Sequence, residues 1–201
     1  MIIGFDAPRI LVFDFEARPV AFYGGDYVTK QITAVGSAYI DDPQGTLEDA
    51  VLTKDDRSFR RMLRHTVARF EEADMLVGHY IRGFDLPLLN ANLFHEGLPL
   101  LGPLEVIDTK GALPKMHGIS KSMENLGATL DLDHEKVGMN TEKWWKANTL
   151  TKKGIEAARV RVRGDVLENA EMFAALHARG ALGSSTVWDP GAPGPSGGYT
   201  P

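Results

Sequence analysis

Apolar and polar side chains alternate in RILVFDFE, residues 9–16, a pattern that predicts a buried strand with two different faces. Residues two apart in a strand point to the same side, so Asp14 and Glu16 share one face and Phe13 and Phe15 share the other. Two carboxylates roughly 7 Å apart repel each other and lose solvation when they are half buried. We therefore expect a cation or a basic partner beside the acidic face of this strand.

Three other stretches have the apolar content of strands. The segment PVAFYGGDYVTKQITAVGSAYIDD, residues 19–42, predicts two strands joined by a turn at GGD. The segments DMLVGHY and LEVIDT, residues 74–80 and 104–109, each predict one short buried strand. The two hairpin-linked strands are expected to form an antiparallel edge beside the first strand.

Apolar residues recur at helical spacing between the predicted strands and throughout the later part of the chain. In the first of these segments Asp55 or Asp56 is expected to act as the N-cap, and Gly97 is expected to end the second. Ser120 or Ser122 is the expected cap of a later helix. The predicted helical segments are residues 55–73, 84–97, 120–130, 140–147 and 151–180.

The predicted element order is three strands, a helix, a strand, a helix, a strand and then helices. This order is typical of an α/β fold with a mixed central sheet flanked by helices. We expect a single domain over residues 1–182. Residues 183–201 are rich in Gly and Pro and are expected to form a flexible tail, because such a composition cannot bury a core.

Composition narrows the classes of function. The 201 residues, 43% hydrophobic and 24% charged, suffice for one globular domain. A net charge of −5 argues against a protein that coats duplex nucleic acid by bulk charge, although a local basic groove is compatible with it. The absence of cysteine excludes disulfides, thiolate metal ligands and a cysteine nucleophile. Without a signal peptide or a membrane-spanning apolar run, a cytoplasmic protein with no membrane partner is expected.

Four carboxylates stand out by their context, namely Asp14 and Glu16 on a strand, Asp85 after an apolar strand, and Asp165 inside an amphipathic helix. Acids in these positions can converge at one edge of a sheet. Oxygen-only ligand sets favour Mg²⁺ or Mn²⁺. Two such ions about 4 Å apart would clamp a phosphodiester. Taken singly, each acid also has an ordinary structural interpretation, such as a salt bridge to Arg18 or a place in the first turn of a helix.

Three motifs, in order, resemble those of the DEDD-type (DnaQ-like) 3′–5′ exonucleases of the ribonuclease H-like superfamily. They are FDFE with Asp14 and Glu16, GHYIRGFDLPLL with Asp85, and RGDVLENAEMF with Asp165. The resemblance extends over about residues 9–180 and implies a three-layer ribonuclease H-like fold. It also implies that the four acids are catalytic residues and metal ligands that together hold two Mg²⁺ or Mn²⁺ ions.

Two positions depart from the family's pattern. Tyr80 stands where the second motif usually has Asn. The third motif usually has Tyr four residues, or His five residues, before its last Asp, and here those positions hold Arg161 and Val160. The usual group that orients or deprotonates the water is therefore missing, and His79 and His134 are the candidates for that role.

The resemblance also implies residues for substrate contact. In the family an aromatic at the position of Phe84 lies close to the site, and the backbone near Phe15 approaches the terminal nucleotide. Tyr80 is expected to stack on a base, and Arg161 to contact the scissile phosphate. Core packing is the alternative interpretation of the three aromatic residues.

The motifs together favour a metal-dependent exonuclease that releases nucleoside 5′-monophosphates from the 3′ end of single-stranded DNA or RNA by a two-metal-ion mechanism. A chain of 201 residues leaves no room for a polymerase domain, so a polymerase or another replication protein is an expected partner. Two alternatives stay open. One is a ribonuclease H-like endonuclease, and the other is a degenerate module that binds nucleic acid or a polymerase without cleaving.

Overall fold

The computed structural model describes residues 7–19, 30–55, 57–115, 117–134 and 137–191. Within these residues a single sheet contains β1 (Ile10–Pro19), β2 (Lys30–Tyr39), β3 (Glu48–Val51), β4 (Met75–Gly78), β5 (Leu104–Asp108) and β6 (Thr186–Trp188). The helices of the same residues are α1 (Ser58–Glu71), α2 (Asp85–His95), α3 (Thr109–Ala112), α4 (Met123–Leu130), α5 (Thr141–Asn148) and α6 (Lys152–Ala178).

The sheet is mixed, and its strands lie in the order β3-β2-β1-β4-β5-β6. In the centre β1, β4 and β5 run parallel, and antiparallel pairing adds β2 and β3 on one side and β6 on the other. Helices α1 and α2 pack on one face of the sheet and α6 on the other. The predicted α/β fold, a mixed central sheet flanked by helices, is confirmed.

The alternation along β1 divides the core into two halves. Phe13 and Phe15 pack against Phe70 of α1, with ring centroids 4.6 and 6.3 Å from it. Val12 points to the opposite face and packs against Val166 of α6. The two faces predicted for this strand are therefore present, and the acidic face is the one that α6 covers.

Helix α6 lies unusually close to the sheet at Gly36 of β2, the residue paired with Asp14. A β-carbon at Gly36 would lie 2.9 Å from Val166 Cγ2 and 3.0 Å from the Val162 carbonyl oxygen. Real β-carbons do not pack at such distances without displacing a neighbour. The missing side chain thus lets α6 approach the sheet and bring Asp165 over the end of β1.

The first helix starts later than predicted. Its N-cap is Arg57, and no side-chain hydrogen bond caps it. Asp55 instead accepts a hydrogen bond from the Arg57 backbone N–H at 3.1 Å, two residues ahead, so its carboxylate closes a turn before the helix begins. The other predicted cap, Asp56, lies outside the described residues. The cap predicted for α4 is confirmed, because Ser122 accepts from the Asn125 N–H at 3.3 Å.

The predicted flexible tail from residue 183 is wrong for Thr186–Trp188. These residues form β6, which pairs with the edge of β5, and Trp188 is 9% exposed and packs in the core. The Arg82 guanidinium holds the strand by donating to the carbonyl oxygens of Thr186 and Val187, at 2.6 and 3.2 Å. The unpaired backbone N–H and C=O groups of an edge strand can pair with an extended segment. The Gly- and Pro-rich composition of residues 183–201 does not indicate such pairing. Residues 192–201 lie outside the described part of the chain.

The predicted hairpin between residues 19 and 42 is described only in part. Lys30–Tyr39 forms β2 and pairs antiparallel with β1, while residues 20–29, with the GGD turn, lie outside the described residues. The short strand β3 is an addition that the sequence pattern did not predict. In the described ranges no helix is both long and apolar enough to cross a lipid bilayer.

Candidate metal centre

Three carboxylates converge where α6 crosses the end of β1. Asp14 and Glu16 project from the α6 face of β1, and Asp165 projects from the middle of α6. One oxygen atom from each of the three lies within 4.8 Å of the other two. Glu16 and Asp165 are buried, and Asp14 is half-buried. Acids held this close repel one another strongly, which is the arrangement that a divalent cation stabilises.

The fourth predicted acid, Asp85, faces the same cleft from the first turn of α2. Its carboxylate accepts hydrogen bonds from its own backbone N–H and from that of Phe15, which ties α2 to β1 beside the other acids. Burial raises the pKa of Asp85 well above its ordinary value, and these two hydrogen bonds oppose the rise. Asp85 does not belong to the 4.8 Å group that the other three acids form.

Asp14 is the electrostatic centre of the cluster. Burial raises its pKa well above the ordinary value, and the carboxylates of Asp85, Asp165 and Glu16 raise that pKa further. Arg161 acts in the opposite direction. The charged form of Asp14 is therefore unfavourable in the folded protein unless more positive charge arrives.

Arg161 supplies the positive charge that the acidic face of β1 requires. It lies on α6 one turn before Asp165, donates from Nε to Glu16 Oε1, and places Nη2 3.3 Å from Asp165 Oδ2. Burial alone would lower the pKa of Arg161, but Glu16 and Asp165 outweigh it and the pKa is raised. The expected contact of Arg161 with a scissile phosphate stays a prediction, because in this structure its Nε and Nη2 groups face Glu16 and Asp165.

Two further contacts hold the Arg161 side chain in place. Nη1 donates to the Val137 carbonyl oxygen at 2.6 Å, and the guanidinium carbon lies 5.4 Å from the ring centroid of Trp144. The Arg161 side chain is 12% exposed as a result. This arrangement gives a structural role to one of the paired tryptophans of α5, whereas Trp145 is 62% exposed.

A cleft of about 300 Å³ opens over the acids, and the aromatic residues predicted to contact substrate all line it. Phe15 is 5% exposed and its ring lies 5.2 Å from that of Phe13, so it belongs to the core as well as to the wall. Phe84 is half-buried, with the Lys30 ammonium 4.9 Å from its ring centroid. Tyr80 is 49% exposed.

Asp108, at the end of β5, organises the loop that carries Tyr80. Its carboxylate accepts from the backbone N–H groups of Tyr80 and Arg82, at 2.9 and 3.0 Å. It also caps α3 by accepting from the N–H groups of Lys110 and Gly111. Tyr80 has a φ of 68°, a left-handed conformation that few residues other than glycine adopt, and the bond to Asp108 stabilises it.

Several cleft residues escaped the sequence analysis. The most prominent is Lys110, whose ammonium lies 4.2 Å from the Tyr80 ring centroid. It follows the carboxyl end of β5, and the carboxyl ends of parallel strands meet at one edge of a sheet, so its position was in principle predictable. The other additional lining residues are Ser122, Met123 and Glu124 of the α4 start, which belong to no recognised motif.

The two histidines predicted as candidate bases form hydrogen bonds with groups outside the acid cluster. His79 lines the cleft, but its Nε2 lies 2.9 Å from the Lys121 carbonyl oxygen and its Nδ1 3.0 Å from Thr109 Oγ1. A carbonyl only accepts, so Nε2 carries the proton and Nδ1 is engaged by the hydroxyl. His134 does not line this cleft, and its Nδ1 lies 2.5 Å from Glu171 Oε1.

No protein-family model matches the sequence, and no curated protein matches it as a relative. The structure is similar to the solved structure of the family B DNA polymerase from the hyperthermophilic archaeon Pyrobaculum calidifontis, with a TM-score of 0.67 and 21% identity. The match covers 87% of this chain and 25% of the polymerase, so the chain spans about a quarter of that protein's length. The similarity concerns the fold, and the six-stranded mixed sheet with its flanking helices is a ribonuclease H-like fold.

Proposed function

We propose that this protein is a metal-dependent 3′–5′ exonuclease of the DEDD type. One observation carries the proposal: oxygen atoms of Asp14, Glu16 and Asp165 lie within 4.8 Å of one another, and Asp85 faces the same cleft. An all-oxygen donor set with this charge suits Mg²⁺ or Mn²⁺. The likeness of the fold to part of a family B DNA polymerase supports a role in nucleic-acid chemistry.

The four acids would act as the ligands of two divalent ions. Such ions supply an activated water and Lewis-acid stabilisation of the leaving oxygen of a phosphodiester. Asp14 would lie at the centre of this ligand set, because the charges of the other three acids all act on it. Glu16 and Asp165 would hold the α6 side of the site and Asp85 the α2 side.

The cleft walls suit the end of a single strand. Phe15 and Phe84 present apolar surface beside the acids, and the exposed ring of Tyr80 is available to stack on a base. Arg161 would leave Glu16 and Asp165 when cations bind there, and its planar guanidinium would then be free to pair with a phosphate. The proposed products are nucleoside 5′-monophosphates, and the proposed protein partner is a polymerase or another replication protein.

A second candidate function has one observation in its favour. Arg161 already compensates Glu16 and Asp165 through a buried ion pair, so the acid cluster is partly neutralised without any metal. A degenerate member of the superfamily that binds nucleic acid or a polymerase without cleaving would have this arrangement. Retention of all four acids argues for the nuclease.

The deciding experiment is digestion of a 5′-labelled single-stranded DNA and its RNA counterpart, each in Mg²⁺, in Mn²⁺ and in chelator. The variants Asp14→Asn and Asp165→Asn remove one ligand charge each while keeping side-chain volume. The exposed Asp41→Asn provides a matched control outside the cleft. A metal-dependent ladder of shortened products, lost in both site variants and kept in the control, is the expected result.

Other outcomes select the alternatives. A single internal fragment would identify an endonuclease. Intact substrate in both metals, together with retained binding of the labelled strand, would overturn the nuclease proposal in favour of the degenerate module. The relative rates on DNA and RNA would show how the site treats a 2′-hydroxyl.

A further inference from the structure

Helix α1 presents a basic stripe to solvent. Arg57, Arg60, Arg61 and Arg64 follow the spacing i, i+3, i+4, i+7, so they share one side of the helix. All four are exposed, and together they line a groove of about 420 Å³. The opposite side of α1 is buried in the core, so the arginines are not needed for packing. In a chain of net charge −5 this is a strong local concentration of positive charge.

The protein's own acids neutralise the stripe only in part. Arg60 lies 3.9 Å from the Glu96 carboxylate, and Arg61 lies 3.4 Å from that of Asp55. Both pairs are solvent-exposed, and such pairs are weak. Across the described ranges Arg57 and Arg64 form no ion pair, so they remain available to an external anion.

Helix α2 links this stripe to the acid cleft. Its first residue is Asp85, in the cleft, and Arg60 donates at 2.7 Å to the carbonyl oxygen of Glu96, the residue that ends the helix. The 11 residues between these ends extend over about 16 Å. The exposed side of α2 between the two ends contains Pro87, Ala91 and Phe94, and none of these is an acid.

Besides the arginine stripe, the exposed ring of Phe94 favours nucleic acid as the ligand of this surface. It is 78% exposed, and it lies on the turn of α2 that Arg60 contacts. An exposed aromatic ring beside cationic side chains is the combination that binds single strands without regard to sequence, by stacking and by phosphate pairing. An acidic protein segment would use the arginines but would have no need of the ring.

We infer that the arginine stripe of α1 and Phe94 form a binding site for the single-stranded phosphodiester backbone upstream of the 3′ end held in the cleft. This inference rests on the proposed function. With one phosphate per 3.4 Å or more along a strand, the 16 Å of α2 correspond to roughly three to five nucleotides. A strand that reaches only the cleft would therefore not touch the stripe.

Binding of fluorescein-labelled oligothymidylates of about 2 and about 16 nucleotides, measured in chelator so that nothing is cleaved, tests this site. The variant Arg57→Gln with Arg64→Gln removes two charges and no ion pair within the described chain. Lys153→Gln with Arg179→Gln is the matched control, because it removes two charges that are likewise exposed, from α6 and its end. A third variant, Phe94→Ala, removes the ring alone.

We expect the stripe variant to weaken binding of the longer strand about tenfold, and to reduce its log–log salt slope by about 1.4, for two lost phosphate contacts. Phe94→Ala should weaken the same strand at least about fivefold. The control variant and the short strand should change less than about twofold. Equal losses on both strand lengths, or in the control, would overturn the inference.

A polyglutamate peptide tests the alternative that the stripe binds an acidic protein segment. If the stripe variant loses affinity for this peptide but retains its affinity for the long oligonucleotide, the surface binds a protein and the inference is wrong. The outcome is separable from that of the digestion assay. If the stripe variant loses binding of the longer strand alone and the wild type cleaves nothing in Mn²⁺, the inference about the stripe stands and the exonuclease proposal fails. If the wild type cleaves but the stripe variant shows no such loss, the exonuclease proposal stands and the inference about the stripe fails.

Discussion

Arg161 of α6 and Glu16 of β1 form a buried ion pair across the helix–sheet interface, and the same guanidinium lies 3.3 Å from Asp165. Arg161 stands at the position where the DEDD-type exonucleases, whose motifs this sequence resembles, usually have a Tyr, four residues before the last acid. Under the proposed function, this tethered cation and a divalent ion would share the same two acids. Under the same proposal, Arg161 would affect both the stability of the metal-free protein and its affinity for metal, and both effects are measurable.

Replacement of Arg161 by Met removes the charge and keeps the length of the side chain. In chelator we expect a loss of about 3 kcal/mol in the free energy of unfolding, because Glu16 and Asp165 lose a buried cationic partner. We expect Mn²⁺ to bind about tenfold more tightly, since it no longer displaces an arginine. Chemical denaturation and a Mn²⁺ titration followed by electron paramagnetic resonance measure the two effects.

The control for this variant is Arg159→Met on the same helix. Arg159 pairs with Asp49 and Glu156 at a partly exposed site, so its loss should cost less than about 1 kcal/mol and leave Mn²⁺ affinity unchanged. An Arg161→Met protein that binds Mn²⁺ no more tightly than wild type would show that the guanidinium does not compete with the ion.

The raised pKa of Asp14 makes stability depend on pH. Between its ordinary value near 3.8 and the raised pKa of the folded state, the folded protein binds a proton that the unfolded chain releases. The stability from this proton is present at low pH and is lost as the pH rises through that window. Asp14→Asn keeps an uncharged group at every pH, so in chelator it should be more stable than wild type at pH 7, with the difference vanishing near pH 4.

Thermal denaturation across this pH range checks the Asp14 prediction, and Asp41→Asn should follow the wild-type curve. Saturating Mn²⁺ should reverse the order at pH 7, because wild type gains a ligand charge that the Asn variant lacks. A variant that is less stable than wild type in chelator at every pH would contradict the electrostatic account.

Gly36→Ala tests the close approach of α6. The added β-carbon would meet Val166 Cγ2 at 2.9 Å and the Val162 carbonyl oxygen at 3.0 Å, so the helix must move outward. We expect a loss of about 2 kcal/mol in stability and weaker Mn²⁺ binding, because Asp165 moves with the helix. Gly102→Ala, whose β-carbon would meet nothing within 4 Å, is the control and should leave both quantities unchanged.

Asp108→Ala tests the support of the Tyr80 loop. The change removes the acceptor of four backbone N–H groups and should cost about 2 kcal/mol. Faster hydrogen exchange at the amides of Tyr80 and Arg82 is the specific signature. Ser122→Ala also removes a helix cap, should cost about 1 kcal/mol, and should leave exchange at those two amides as it is.

Local patterns were sufficient for much of the architecture. Period-two alternation identified β1 and its acidic face, and helical periodicity located α1, α2 and α6, because each signal depends on neighbours a few residues away. The edge strands β3 and β6 were missed for the opposite reason. Each has only three or four residues, too few for a pattern, and β6 exists because β5 offers it an open edge.

The candidate site shows the same division. The order and spacing of the motifs predicted that Asp14, Glu16, Asp85 and Asp165 belong together, and all four line one cleft. The sequence predicted only that a cation or a basic group lies beside the acids. Its identity depends on a contact between residues 145 positions apart, and Arg161 by itself resembles any other arginine on an amphipathic helix.

The sequence by itself determined which faces of the strands and helices are apolar and which carry the acids, because side-chain periodicity is a property of the local backbone. Only the tertiary structure decided which distant groups meet. It placed Arg161 between Glu16 and Asp165, Asp108 under the Tyr80 loop, and the arginines of α1 at the far end of α2. Such contacts depend on how elements pack across the sheet, and the packing is selected by the free energy of the whole fold rather than by any short segment.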